Sequence, residues 1–293
     1  CEMAWMERML RVCDRILLLP THRVPMSWPK NVSGCVSVFD VPQYQGFCDD
    51  FGPMNLASTY RFCKLLEHRL ADSEDGDVVV VSERESGSVT NAVFLLGAFF
   101  IMERDQKASD VEELLQPLLH LTKSFRDVSP GQQNFQLYLR DCWEGLFQAK
   151  RLFWVSFDED GFNLADYEEC DDPLNADLHE VVPGKFVAMR GPRALPDGAY
   201  FQDAAPGLRN FSPAHYVDIL HQYDVKVVVR LNERHYEDAD FADHGIAVAN
   251  LPFDDCATPP AGIVAKFLAI AEGVPGALAV HCAAGLGRTG TLI

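Results

Sequence analysis

The amino-acid sequence predicts an α/β protein made of two tandem units, and three features of it carry that reading. The chain has 293 residues, 48% of them apolar, which is enough for two cores of ordinary size. Short apolar runs bounded by Gly and Pro alternate with segments of helical periodicity along both halves. The third feature is an internal repeat. Asp77-Val-Val-Val-Val-Ser82-Glu83, then Val89-Thr90-Asn91 and an apolar stretch, lies over Gly276-Ala-Leu-Ala-Val-His281-Cys282, then Arg288-Thr289-Gly290 and another apolar start. Both copies read strand, loop, helix.

In the first half, 14–19 and 35–41 read as strands, 56–70 as a helix after Gly52-Pro53, and 78–81 as a further strand. Segments 91–102 and 111–121 read as helices, and 135–147 sets Phe135, Leu139, Cys142, Trp143 and Leu146 on one helical face. The pattern then weakens as acidic residues gather in Asp158-Glu159-Asp160, Asp166, Glu168-Glu169 and Asp171-Asp172, up to the break at Pro183-Gly184. This divides the chain into a first domain at 1–150, an acidic linker at 151–182 and a second domain at 183–293. In the second domain Ser212 caps a helix with Pro213 at its first position, and 225–231 is a continuous apolar strand. A strand at 246–253 follows. Thr258 caps a helix that starts at Pro259 and runs to about Glu272, and a strand at 277–280 leads into the loop at Cys282.

Lys and Arg number 25 against 43 Asp and Glu, and the net charge of −18 opposes binding to nucleic acid or to anionic lipid surfaces. Basic protein partners are favoured instead. No apolar run reaches the roughly eighteen residues of a membrane span, the longest candidate, 91–102, having the length of a buried helix, so the chain is expected to be soluble. The chain opens on Cys1 without a basic-then-apolar leader, so targeting is not readable from its start. The nine cysteines contain no CxxC pair, which predicts reduced core thiols in a nuclear or cytosolic protein rather than zinc ligands or a disulfide framework. No metal or organic cofactor is expected.

The chemistry concentrates in His281-Cys282-Ala283-Ala284-Gly285-Leu286-Gly287-Arg288-Thr289-Gly290. A thiol is a useful nucleophile near neutral pH only as thiolate, and a cysteine between a strand and a helix N-terminus is ringed by amides that stabilise the anion. The spacing from Cys282 to Arg288 lets the amides of Ala283, Ala284, Gly285, Leu286 and Gly287 curl around a phosphate, with Gly285 and Gly287 supplying positive φ. Arg288 offers a planar two-pronged donor to the phosphate, Thr289 a hydroxyl to the sulfur, and His281 a means of shaping the loop and the thiol's acidity. This pattern predicts phosphomonoester hydrolysis through a phosphocysteine. A departing alkoxide needs a proton, which either Asp254 or Asp255 at the end of a strand can supply. In the first copy Glu83 stands in place of Cys282 and Val89 in place of Arg288, so the first domain is expected to be catalytically silent.

Beyond the loop, the sequence resembles the cell-division-cycle-fourteen family of mitotic-exit, dual-specificity protein phosphatases over nearly its whole length. The matching segments are Asp50-Phe-Gly-Pro-Met-Asn-Leu-Ala57, Tyr60-Arg61, Phe125-Arg126-Asp127, Val182-Pro-Gly-Lys-Phe186, Val228-Val-Arg-Leu-Asn232, Thr258-Pro259, and His281-Cys282 with Gly285 through Ile293. The resemblance implies two tandem dual-specificity-phosphatase-like domains joined by a linker helix, with only the second catalytic. Its Phe-x-Asp-x-x-Thr-Pro pattern falls on Phe253, Asp255, Thr258 and Pro259, which makes Asp255 the general acid. It implies action on phosphotyrosine and on phosphoserine or phosphothreonine followed by proline, at cyclin-dependent-kinase-type sites with a basic residue further on. Asp166, Glu168 and Glu169 are then candidates for reading that basic residue. Cell-cycle control in nucleus and cytoplasm, at spindle pole, centrosome or nucleolus, is implied as well.

Three departures qualify the resemblance. Ala283 stands where the family has lysine, and Cys256-Ala257 where it has Gly-Ser, which puts a thiol beside the acid. The family's later helices and glutamine-bearing loop fall beyond Ile293, so the chain reads as truncated at its C-terminus. A phosphoinositide phosphatase is disfavoured by the neutral Ala283 and Leu286 and by the acidic chain, whereas a tyrosine-restricted enzyme fits the loop equally well. The non-catalytic alternative is a substrate-binding pseudophosphatase, against which the intact Cys282, Arg288 and Asp255 count.

Overall fold

A computed structural model describes residues 9–22, 25, 27–46, 49–73, 75–128, 133, 135–158 and 161–293. Cys1, Cys48, Glu159 and Asp160 lie outside the described residues. The chain forms two compact units, Cys1–Phe162 and Asn163–Ile293. The segment 151–182 read as a linker is therefore shared out. Val155 and Phe157 bury themselves in the first core, while the acidic helix and the strand that follows it belong to the second unit. Composition alone had marked this stretch, and it is the apolar residues among the acids that decide which core each part joins.

In the first unit, β1 (Leu10–Cys13) and β2 (Ile16–Pro20) form a hairpin, followed by β3 (Val32–Ser37), α1 (Leu56–Asp72), β4 (Asp77–Ser82), α2 (Ser86–Arg104), α3 (Ala108–Leu115) and α4 (Leu139–Arg151). The sheet order is β1-β2-β4-β3, with β2, β4 and β3 parallel and β1 antiparallel at the edge. Because side chains alternate along a strand, Leu18, Val78 and Val80 enter one core while Leu19, Val79 and Val81 enter another on the opposite face. Helix α2 has the length and apolarity of a membrane span, but 83% of its most apolar eighteen-residue window is buried in the protein. The fully buried Trp143 of α4 donates its indole N–H to the Phe94 carbonyl at 3.1 Å and fits over Gly97, where a Cβ would lie 2.2 Å from the ring. Phe135, expected on the α4 face, lies before that helix and is 66% exposed. The helix starts at Leu139 because Asp141 accepts the Tyr138 N–H at 2.8 Å and so sets the cap there.

The second unit contains α5 (Leu164–Asp171), β5 (Leu178–Val182), β6 (Phe186–Met189), a hairpin of β7 (Phe201–Ala205) and β8 (Leu208–Phe211), and α6 (Pro213–Gln222). After these come β9 (Val225–Arg230), α7 (Ala239–Ala242), β10 (Ala247–Asn250), α8 (Ala261–Gly273), β11 (Ala277–His281) and α9 (Gly287–Leu292). Its main sheet has the order β10-β9-β11-β6-β5, parallel except for β5. The repeat seen in the sequence thus extends to topology. An edge hairpin, a central strand that enters the loop, and a parallel strand beyond it recur as β1-β2-β4-β3 and as β5-β6-β11-β9.

Two caps differ from expectation. Ser212 is the N-cap residue of α6, yet its hydroxyl donates to the Tyr200 carbonyl instead of capping. Thr258 does not cap α8, which begins at Ala261 with Pro260 as its N-cap residue. The reason is local sterics: Pro260 disfavours the helical conformation at Pro259, so the helix cannot start before it.

Candidate active site

Strand β11 is buried at every residue and ends on His281, at the carboxyl edge of a parallel sheet, where such folds place their chemistry. The chain then turns through Cys282 to Leu286 into α9. Cys282 is only 3% exposed, among Leu231, Phe253, Phe267 and Val280. Burial pushes its thiol up, but the Thr289 hydroxyl and the amides of Thr289, Gly285 and Leu286 outweigh that and hold it below its ordinary value. Among the described residues the buried Thr289 Oγ1 has no other acceptor or donor in hydrogen-bonding geometry, and a hydroxyl rotor turns freely toward the sulfur. The donors that act on the sulfur come from the loop and from the first turn of α9.

For amides to point inward around the sulfur, the carbonyls of the same loop must point outward and find donors. The Cys282 carbonyl is held by His281 Nδ1 at 3.0 Å, and the Ala283 carbonyl accepts the Gly191 N–H at 3.2 Å. Two glycines make the fit tight. A Cβ on Gly191 would lie 2.1 Å from the Cys282 carbonyl oxygen, and one on Gly285 would lie 2.4 Å from the Met189 carbonyl oxygen. Gly285 also adopts φ +74, a region open to glycine. Gly287 does not share this role, because it is already the first residue of α9 and its φ is not positive. Ala283, Ala284 and Leu286 present their side chains to solvent, so what they add to the loop is backbone.

His281 is fully buried and its pKa falls from 6.5 to about 4, chiefly through burial, with the Arg230 and His235 charges adding to the effect. A carbonyl only accepts, so Nδ1 carries the proton, and Nε2 accepts the Tyr236 O–H at 2.8 Å. His281 is thus a fixed neutral imidazole, suited to shaping the loop and not to shuttling protons.

The segment after β10 faces the loop. Arg288, 7% exposed, donates Nη1 to the Phe253 carbonyl at 3.1 Å, and its Nε lies 3.1 Å from Asp255 Oδ1. The Nε contact is an ion pair, since its N–H is not aimed along a hydrogen bond. Chemistry alone left Asp254 and Asp255 open, and it is Asp255 that meets Arg288. Neighbouring Cys256 is exposed and adopts φ +56, a conformation easier for glycine.

Asp166, Glu168 and Glu169 lie on α5, which packs on β5 through Tyr167 and His179. Asp166 is bound to Asn163 at the start of its own helix. Among the described contacts, none joins these three carboxylates to the Cys282 loop. In the first unit, the loop after β4 is occupied by its own chain. Glu85 accepts the amides of Gly87 and Ser88 and pairs with Lys123 Nζ at 3.2 Å, so its carboxyl is held below the usual carboxylate range. Glu83, which the repeat sets opposite Cys282, is exposed and takes no part in this contact.

Comparison with known proteins places the chain among phosphatases. The family model described as "Dual specificity protein phosphatase, N-terminal half" matches residues 12–149, and one described as "Polymorphic toxin system, DSP-PTPase phosphatase" matches 209–293. The chain is 34% identical to dual specificity protein phosphatase CDC14C of Homo sapiens over 277 residues, 91% of this chain and 59% of that protein. It is 36% identical to the human CDC14A over 259 residues, 85% of this chain and 41% of that one. Tyrosine-protein phosphatase CDC14 of Saccharomyces cerevisiae is 32% identical over 265 residues, 88% of this chain and 47% of the yeast protein. The chain belongs to the CDC14 family. It spans about half to three fifths of the length of these relatives.

Several residues of this CDC14-family site escaped the reading of the sequence. Gly191 carried no signal beyond its place before Pro192, since its constraint comes from a strand distant in sequence. Arg230 offered one: a charged residue inside the apolar run Val225–Arg230 needs a buried partner. Tyr236, Asp238 and Asn250, which supply such partners, are brought together only by the parallel pairing of β9, β10 and β11.

Proposed function

We propose that the second unit hydrolyses phosphomonoesters on protein side chains through a phosphocysteine at Cys282. What carries this reading is the meeting, in one place, of a thiol held toward its anion by Thr289 and loop amides with Arg288 and Asp255 paired at 3.1 Å. A substrate phosphate takes the Arg288 Nε from Asp255 and lies in the ring of amides, its phosphorus facing the sulfur. The thiolate forms the S–P bond as the P–O bond to the side chain breaks, and Asp255 protonates the departing oxygen. Water then attacks phosphorus with Asp255 taking its proton, and the S–P bond breaks to return the thiolate and release phosphate.

Proline-directed phosphoserine and phosphothreonine are the proposed preferred substrates, with phosphotyrosine also accepted, in keeping with family membership. The exposed Leu286 beside the nucleophile gives the residue after the phosphoamino acid an apolar surface. Asp166, Glu168 and Glu169 remain the proposed readers of a basic residue further on.

The test compares wild type, Cys282→Ser and Asp255→Asn on phosphoserine-proline and phosphotyrosine peptides. Cys282→Ser is expected to hold the peptide without turnover, and Asp255→Asn to lose about 10²- to 10⁴-fold in kcat on alkyl phosphates. Equal phosphate release by wild type and Cys282→Ser would remove Cys282 from the mechanism. Binding by both with turnover by neither would make the chain a substrate-binding pseudophosphatase.

A further inference from the structure

Behind the loop lies a buried polar network with no direct place in the chemistry above. Arg230, at the end of β9, is 1% exposed. Its Nε donates to Asn250 Oδ1 at 2.8 Å, its Nη2 to Asp238, and its Nη1 to the Tyr236 carbonyl at 3.1 Å. The guanidinium also lies over the Tyr236 ring, 4.5 Å from the centroid. Asp238 accepts further bonds from Asn250 at 3.0 Å and from Arg234 at 3.1 Å. Tyr236, 2% exposed, then donates its hydroxyl to His281 Nε2, and His281 donates Nδ1–H to the Cys282 carbonyl.

A buried guanidinium is expensive to desolvate, and at this position an apolar residue would continue the strand at lower cost. Packing therefore does not account for Arg230. Direction does: Nη1 holds the Tyr236 carbonyl, the guanidinium plane covers the Tyr236 ring, and Asn250 and Asp238 fix the guanidinium itself, while the Tyr236 hydroxyl is aimed at the His281 ring. The Cys282 carbonyl, which only accepts, selects the tautomer with the proton on Nδ1, and the Tyr236 hydroxyl satisfies the Nε2 lone pair that this tautomer leaves buried. Without it, Nε2 becomes a buried acceptor with no donor. The ring is then free to carry its proton on Nε2, which releases the Cys282 carbonyl to turn back toward the sulfur.

We propose that Tyr236, held by Arg230, is a positioning residue for the nucleophile, keeping the Cys282 carbonyl turned away so that the loop amides face the sulfur. Neither residue touches the reacting atoms. The inference deepens the phosphatase reading and rests on Cys282 being its nucleophile.

The test is the pH dependence of iodoacetamide alkylation of Cys282, followed by peptide mass spectrometry in the full chain without any phosphorylated substrate. In Tyr236→Phe, which removes one hydroxyl and keeps the ring, the midpoint is expected to rise and alkylation at neutral pH to slow about five-fold, the worth of one hydrogen bond. Nitrogen-15 spectra of the His281 ring should show the loss of a single fixed tautomer. A purely structural role would lower the unfolding midpoint and leave the thiol titration in place. An unchanged titration in folded Tyr236→Phe overturns the proposal. If that variant does not fold, Asp238→Asn, which loosens Arg230 from the partly exposed end of the network, replaces it, and an unchanged titration there has the same meaning. A shifted titration in a protein inert toward every phosphopeptide would refute the phosphatase reading and leave this one standing.

Discussion

Acidification should weaken the second unit, and one side chain, His281, makes a contribution that can be isolated. Its folded-state pKa of about 4 lies below the ordinary 6.5 because the ring is buried, with Arg230 and His235 adding positive charge nearby, against the opposing bond to the Cys282 carbonyl. As pH falls, the unfolded chain binds the proton first, so this stability is complete above 6.5 and is lost on the way down to about 4. The full gap is worth roughly 3 kcal/mol, of which about 2 kcal/mol is lost between pH 7 and pH 5. All four tryptophans, Trp5, Trp28, Trp143 and Trp154, fall in the first unit, so their fluorescence follows that unit alone. Urea titrations at the two pH values, with hydrogen exchange of the β11 peptide reporting the second unit, therefore separate the two units. His281→Asn should lose about 2 kcal/mol less than wild type over this interval. His215, whose pKa is also lowered by burial, is present in both proteins and cancels. Equal losses in the two proteins, or an imidazolium signal from His281 at pH 5.5, would refute the reasoning.

Two further predictions follow from single contacts. Thr289→Val keeps the side chain's shape and removes the hydroxyl facing the sulfur, so Cys282 should become a weaker acid and alkylate several-fold more slowly near neutral pH, as read by a stopped alkylation series. Gly97→Ala drives a Cβ to within 2.2 Å of the Trp143 ring and should destabilise the first unit by about 1–3 kcal/mol in urea, seen by tryptophan fluorescence, while the alkylation rate of Cys282 stays the same.

The strand, loop and helix around Cys282 were legible because their signals are local. Four apolar β residues precede the loop, Gly285 marks a backbone that L-residues resist, and the spacing to Arg288 is set by one turn of chain. The repeat was legible for the same reason and proved to extend to sheet order. What stayed hidden was either short or non-local. The strands β1, β5 and β6 span only four or five residues each, and strands of that length have little periodicity to read. Gly287 was given a positive φ by its residue type, although only one glycine of the pair needs it. Gly191, Tyr236 and Asn250 matter through what they touch, and those contacts join segments far apart in sequence.

The two loops also explain why a nest of amides needs a frame of its own. In the first unit the problem is solved internally, since Glu85 satisfies the amides of Gly87 and Ser88 and Lys123 balances its charge, so the strand–loop–helix turn is stable with no ligand. In the second unit, a built-in carboxylate would occupy the place that the proposed phosphate must take. The amides there face the Cys282 sulfur instead, and the loop is fixed from its outer side. Gly191 and His281 hold the outward carbonyls, and the buried Arg230 network holds His281. On this account, a first unit given Cys at Glu83 and Arg at Val89 would still lack phosphate affinity, because Glu85 would remain bonded to the loop amides and keep its negative charge where the phosphate must sit.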